Sequence, residues 1–219
     1  TVVRRLLTGE MGEPARITIY SRDEAKQNDM RLKYLNRGAA TDDVIYQNSR
    51  RALSFRIGDV RDYAALAQAV MDADVVIHAA ALKQVPSCEY FPAEAVRTNL
   101  DGAINLARAV AQTRSPVELV VGISTDKAVK PVNVMGMTKA IMERILIEAN
   151  LQTDRARFVC VRYGNVIASR GSVVPLFLDQ IAKGGPVTIT TPEMTRFLLT
   201  LDRAVDTVFA AMRDAGRED

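Results

Sequence analysis

At 219 residues the chain can bury one sizeable hydrophobic core but is short for two full domains. Its 29 Lys+Arg against 26 Asp+Glu leave a formal charge of +3, too balanced for a nucleic-acid binder or a polybasic membrane binder. Two isolated cysteines, Cys88 and Cys160, argue against a disulfide framework or a zinc site and for a reducing, cytoplasmic setting, and with no apolar run of about 18 residues and no signal-peptide pattern no membrane span is expected.

Short β-rich runs alternate with helical patterns, which predicts an α/β chain. Residues 16–20 read as a strand, 23–35 as a charged helix, and 36–51 as a polar, mobile loop. A second strand, Leu53–Ile57, ends in Gly58-Asp59 and feeds a helix over 62–71. A third strand at 74–78 runs into Ala79-Ala80-Ala81, and a long helix covers 92–113. The near-continuous apolar run 117–123 suits a central strand buried on both faces. A helix over 133–151 and a strand over 158–162 follow. Beyond them the rhythm loosens into helices at 174–183 and 201–213 with a short strand at 187–189.

This order is that of a Rossmann-like, doubly wound parallel sheet, except at the front. Residues 1–7 read as the last turns of an amphipathic helix stopped near Gly9, whereas a dinucleotide fold needs a strand and a glycine-rich turn before that helix. Gly9-x-x-Gly12-x-x-Ala15 only mimics that fingerprint, because a strand follows almost at once and a parallel crossover needs a dozen or more residues. The chain is therefore expected to lack the first βα unit, whose strand would lie mid-sheet. A dinucleotide-binding domain over 1–163 and part of a substrate-binding region over 164–219 are the expected divisions.

Several residues carry possible chemistry. Ser21 and Arg22 end the first strand, where an arginine favours the 2′-phosphate of NADP; a plain surface arginine is the alternative. Asp59 either reaches an adenine amine or caps a turn. Val60 continues that loop, and Ala79, Ala80, Ala81 and Lys83 follow the third strand, where small side chains let a backbone approach a cofactor or simply pack a junction. His78, the only histidine, reads as a strand-end residue and not as a base. Ser124-Thr125-Asp126-Lys127 sits at the carboxyl edge of the apolar strand, where ligands of such sheets bind. Asp126 beside Lys127 can act as a proton donor–acceptor pair, or be a loop ion pair of little worth. Met135 and Lys139, four apart, share a helix face. Lys139 can hold a nicotinamide ribose, or snorkel from a core contact.

Taken together, Tyr-Ser-Arg-Asp-Glu-Ala-Lys-Gln (20–27), Gly-Asp-Val-Arg-Asp (58–62), His-Ala-Ala-Ala-Leu-Lys-Gln-Val-Pro (78–86), Ser-Thr-Asp-Lys-Ala-Val-Lys-Pro-Val-Asn-Val-Met-Gly-Met-Thr-Lys (124–139), Arg-Tyr-Gly-Asn-Val-Ile-Ala-Ser-Arg-Gly-Ser-Val-Val-Pro (162–175) and Met-Thr-Arg-Phe (194–197) resemble the bacterial UDP-N-acetylglucosamine 4,6-dehydratases. These are extended short-chain dehydrogenase/reductases of polysaccharide biosynthesis. The resemblance is to the branch with methionine, here Met135, where most relatives carry a catalytic tyrosine. It implies NADP or NAD as cofactor and a UDP-sugar as substrate. It makes Lys127 the C5 base and Asp126 the C6 acid, with Thr125 and Ser124 near C4 and Lys139 on the nicotinamide ribose. Either Asp126 or Thr125, through a water, would take the C4 hydroxyl proton. Asn99 and Tyr163 join the cofactor set. Asn165, Ser169, Arg170, Ser172, Val174 and Arg196 form the substrate set, the two arginines as diphosphate partners. The apolar faces of the helices at 92–113 and 133–151 imply a homo-oligomer. A UDP-sugar 4-epimerase and a non-catalytic nucleotide-binding module are the rival readings; the first relies on the tyrosine that Met135 replaces.

Overall fold

The computed structural model describes residues 1–34, 53–112, 114–167, 173–189 and 191–215. The loop expected at 36–51 lies outside the described residues. Helix α1 (Val2–Leu7) leads through a turn to strand β1 (Ile17–Ser21) and helix α2 (Glu24–Tyr34). Strand β2 (Leu53–Ile57) precedes α3 (Tyr63–Val70), which Asp62 caps by accepting from the Ala65 amide at 3.1 Å. Strand β3 (Val75–His78) is followed by α4 (Val85–Tyr90), α5 (Pro92–Val96) and α6 (Gly102–Gln112). Strand β4 (Leu119–Thr125), α7 (Val134–Glu148) and β5 (Arg157–Tyr163) complete the regular part. Strand β6 (Asn165–Val166), α8 (Val173–Ala182), β7 (Leu198–Leu199) and α9 (Leu201–Asp214) follow.

All pairings of these strands are parallel: β1 with β2, β3–β4–β5, and β6 with β7. Alternation along β3–β5 sends side chains to two helical layers. Val76, Val120 and Phe158 pack with Leu106, Val110, Met142 and Leu146 from α6 and α7. Ile77, Val121 and Val161 face Val205, Val208 and Phe209 of α9. That is a doubly wound Rossmann-like arrangement, with β4 the most completely buried strand. Arg5 ties α1 to α9, bonding Asp206 at 2.6 Å and lying 5.0 Å from the centre of the Phe209 ring.

Strands β1 and β3 do not pair with each other. A cavity of about 570 Å³ separates them, walled by Thr18 and Tyr20 on one side and by Val75, Val76 and Ile77 on the other.

The structure corrects four local expectations. The helix expected over 92–113 is interrupted by a π-helical stretch at Arg97–Asp101, because Asn99 turns inward to hold the Leu82 backbone. Helix α4 was not foreseen; it is six residues long, with a proline in its first turn. No strand forms at 187–189; Thr188 instead bonds Gln180 through backbone and side chain. The strand of that region is β7, held by β6.

Candidate active site

Strand β4 ends in Thr125, which pairs across the sheet with Tyr163 of β5. The chain then tightens into a single 3₁₀ turn, Asp126–Ala128, capped by the Thr125 hydroxyl. This turn puts Asp126 and Lys127 on one loop at the carboxyl edge of the sheet. The Lys127 ammonium donates to Asp126 Oδ1 at 3.1 Å and to Asn165 Oδ1 at 2.7 Å. The Thr125 hydroxyl donates to the same Asp126 oxygen at 2.8 Å. Partial burial alone would raise the Asp126 carboxyl, but the hydrogen bonds from Thr125 and Lys127 outweigh it and hold the group below its ordinary value. Both side chains of the pair keep about a third of their surface open, so a substrate can reach them. Gly136 permits the approach of α7: a Cβ there would stand 2.4 Å from the Lys127 carbonyl oxygen.

Beneath the turn, α7 lies on a polar layer. By strand parity His78, Ser124, Cys160 and Arg162 share the sheet face that α7 covers. Ser124 is buried and its hydroxyl donates to Glu143. Arg162 grips the same carboxylate through Nε at 2.8 Å and through Nη2. Burial would raise Glu143, yet Arg162 and Ser124 hold it below its ordinary value. Lys139 is buried, with Met142 Sδ as its hydrogen-bond contact at 3.2 Å. Desolvation pulls it down to about 8. His78 Nε2 is buried without a partner, and burial pushes that ring down to about 4. Met135 faces away into a small cluster with Cys88, Ala95 and Val134.

The cofactor candidates converge on the cavity between β1 and β3. Ser21, Arg22, Asp59 and Val60 line one part, and Ala79, Ala80 and Ala81 another. Asp59 accepts from the Arg61 amide at 2.9 Å, which makes it a turn cap, and from the Arg61 guanidinium at 2.7 Å. It also meets Arg22 at 3.3 Å. Other candidates lie apart from this cavity. Asn99 is fully buried and bonds the Leu82 amide, the Leu82 carbonyl and Thr138, so it braces the loop that carries Ala79–Ala81. Lys83 is exposed, and Tyr163 packs half-buried beside Val161. Val174 lies on α8, and Arg196 is exposed, bonded to the Thr195 carbonyl at 2.7 Å. Ser169, Arg170 and Ser172 lie outside the described residues. Sequence reasoning missed Glu143, although its place four residues after Lys139 on one helix face was a usable signal. It also missed the Asn165 bond to Lys127, for which the sequence holds no signal, since it depends on where β6 returns.

The profile of the polysaccharide biosynthesis protein family matches residues 1–219. The chain belongs to this family. Among its relatives, a UDP-glucose 4-epimerase of Rickettsia conorii is 45% identical over 218 residues, which are 99% of this chain and 59% of that protein. The X-ray structure of Pen from Bacillus thuringiensis superposes with a TM-score of 0.83 at 33% identity, covering 98% of this chain and 65% of Pen. A dTDP-glucose 4,6-dehydratase from Streptomyces venezuelae, DesIV, solved with NAD bound, shares the fold at a TM-score of 0.75 and 18% identity, covering 99% of this chain and 68% of DesIV. The chain thus spans about three fifths of the Rickettsia relative and two thirds of these structures.

Proposed function

We propose that the full-length protein carrying this chain is an NAD(P)-dependent UDP-N-acetylhexosamine 4,6-dehydratase, which converts UDP-N-acetylglucosamine to UDP-4-keto-6-deoxy-N-acetylhexosamine with inversion at C5, for surface polysaccharide such as capsule or O-antigen. The observation that carries the reading is the 3.1 Å contact between Lys127 and Asp126 at the carboxyl end of β4, above a buried Met135 that cannot move a proton.

The dinucleotide would take hydride from C4 and, after elimination, return it to C6. The enolate so formed would take a solvent-exchanged proton at C5 on the face opposite the one deprotonated, which balances the proton released by the C4 hydroxyl. Ser21 would meet the adenosine ribose of the dinucleotide and Asp59 its adenine amine, Ala79–Ala81 line the same cavity and would allow close approach, and Lys139 would hold the nicotinamide ribose. Arg22 at the end of β1 supports NADP, and its contact with Asp59 leaves NAD as the alternative. The 4-ketone acidifies the C5 proton. At rest the pair is Asp126⁻ and Lys127⁺. A proton passing between them across the 3.1 Å contact leaves a neutral amine and a carboxylic acid. Exclusion of water by substrate favours that neutral form. The Lys127 amine then takes the C5 proton, and Asp126 gives its proton to the C6 hydroxyl, which leaves as water. The pair ends as carboxylate and ammonium, its resting form, so elimination needs no proton from solvent. Thr125 and Asp126 remain the groups able to take the C4 hydroxyl proton, directly or through a water.

A 4-epimerase is the second reading, favoured by the name of the Rickettsia relatives. The two separate in deuterated water with UDP-N-acetylglucosamine, followed by NMR and mass spectrometry. Loss of water with deuterium at C5, abolished by Lys127→Ala, supports dehydration. A C4 epimer without C5 label overturns it in favour of epimerisation.

A further inference from the structure

We infer that Asn165 is a positioning residue for the base of this site, holding the Lys127 amine in place through its change of charge. The inference rests on the dehydratase reading. Lys127 has three N–H positions when charged and two when neutral. In the resting structure two are taken, by Asp126 Oδ1 at 3.1 Å and by Asn165 Oδ1 at 2.7 Å. These partners differ in kind. The Asp126 contact is an ion pair whose charge–charge attraction is lost once the proton has crossed to the carboxylate, and the O–H···N bond then left occupies the amine lone pair, so it must break when that lone pair takes the C5 proton. The Asn165 contact is a hydrogen bond to a neutral carbonyl oxygen, which an amine N–H makes in either charge state. When Lys127 acts as a base, Asn165 is therefore the partner that still fixes it.

The surroundings suit this role. Asn165 comes from a different part of the chain, two residues past the end of β5. Its backbone is pinned to the C-terminal segment: its amide donates to the Phe197 carbonyl at 2.7 Å, and β6 pairs with Leu198–Leu199. Gly164 makes that approach possible, since a Cβ there would stand 2.4 Å from the Phe197 carbonyl oxygen. The bond to Lys127 thus links the proton-transfer turn after β4 to the segment expected to carry substrate. Asp126 is the charged side chain in contact with Lys127 among the described residues. The first turn of α7, packed under the loop through Gly136, contributes no acidic residue, and β6 and β7 contribute only Asn165, Val166, Leu198 and Leu199. A neutral amide here avoids placing a second carboxylate against an amine that must give up its proton.

The test uses the full-length protein with NADP or NAD and UDP-N-acetylglucosamine. Three rates are followed across pH: cofactor reduction at C4, deuterium entry at C5, and water loss. Asn165→Ala should slow C5 exchange on the order of 10- to 100-fold, the cost of a misplaced catalytic group, while C4 oxidation changes far less. Asn165→Gln, which keeps the carbonyl, should recover part of the rate. Asn165→Asp should not recover the rate as Asn165→Gln does, because a second carboxylate against Lys127 favours the charged amine and opposes the proton transfer to Asp126. If wild-type protein shows C5 exchange but Asn165→Asp exchanges C5 as fast as wild type, or Asn165→Ala slows C4 oxidation and C5 exchange equally, the positioning role is overturned and Asn165 is a structural or substrate contact. If wild-type protein shows neither exchange nor water loss, it is the dehydratase reading that fails.

Discussion

Lys139 shows how a single residue can trade stability for a site. The residue is 6% exposed, and its ammonium contacts a thioether in place of a carboxylate. Desolvation lowers it from 10.5 to about 8. Between those two pH values the unfolded chain binds more protons than the folded one, so stability rises with pH through that window. Below it the fold carries a constant cost of about 3 kcal/mol. Lys139→Met should therefore stabilise the ligand-free protein near pH 7 by about 3 kcal/mol, with the gain fading from about pH 8 and nearly gone by pH 10.5, while cofactor affinity falls. Urea melts at both pH values check the sign; a variant no more stable than wild type near pH 7 contradicts it. Met135 poses the opposite case. It is 5% exposed among Cys88, Ala95 and Val134. A tyrosine at this position should overpack the pocket, costing about 1–3 kcal/mol, whereas Met135→Leu should cost less than about 1.5 kcal/mol. A Met135→Tyr variant as stable as wild type in the same melts would mean the pocket can open.

At the scale of elements, the joint between β4, β5 and α7 rests on Glu143. Its carboxylate takes the Ser124 hydroxyl from one strand and the Arg162 guanidinium from the next. Glu143→Ala leaves Ser124 buried without its acceptor. Because Arg162 is half exposed, water compensates part of the loss, and the expected cost is roughly 2–3 kcal/mol in a denaturation midpoint shift. Glu143→Gln, which keeps an acceptor, should cost less; equal costs would mean that side-chain volume and not hydrogen bonding holds the joint. The legibility of these elements follows their physics. The apolar run ending in Ser124-Thr125 announces a buried strand, and the Asp62 and Asn133 caps announce helix starts, because burial on both faces and local capping are written in adjacent residues. The pair Asp126–Lys127 is legible for the same reason. Strand β7 and the Asn165–Lys127 bond are not. Two-residue strands carry no period, and a contact across 38 positions depends on where the chain returns.

Over the whole molecule, stability is unevenly shared. Strand β4 lies between β3 and β5 with apolar layers above and below. Among the described residues, strands β1 and β2 pair only with each other, and their own core contains two buried residues, Ile17 and Leu53. A two-stranded unit with so little burial opens at low cost, whereas β4 opens only with the global fold. In the 219-residue chain, hydrogen exchange should therefore be faster in peptides covering residues 17–21 and 53–57 than in one covering 119–125. The cavity between β1 and β3 adds a second expectation. It is walled by Ser21 and Arg22 from one sheet and by Ala79–Ala81 at the end of the other. A dinucleotide seated there binds the closed arrangement and not the open one, so it should slow exchange in β1 and in the 79–81 loop together. Protection confined to one of these two segments would mean that the ligand does not bridge the cavity. Equal exchange in β1 and β4 without ligand would mean that the two sheets already open as a single unit.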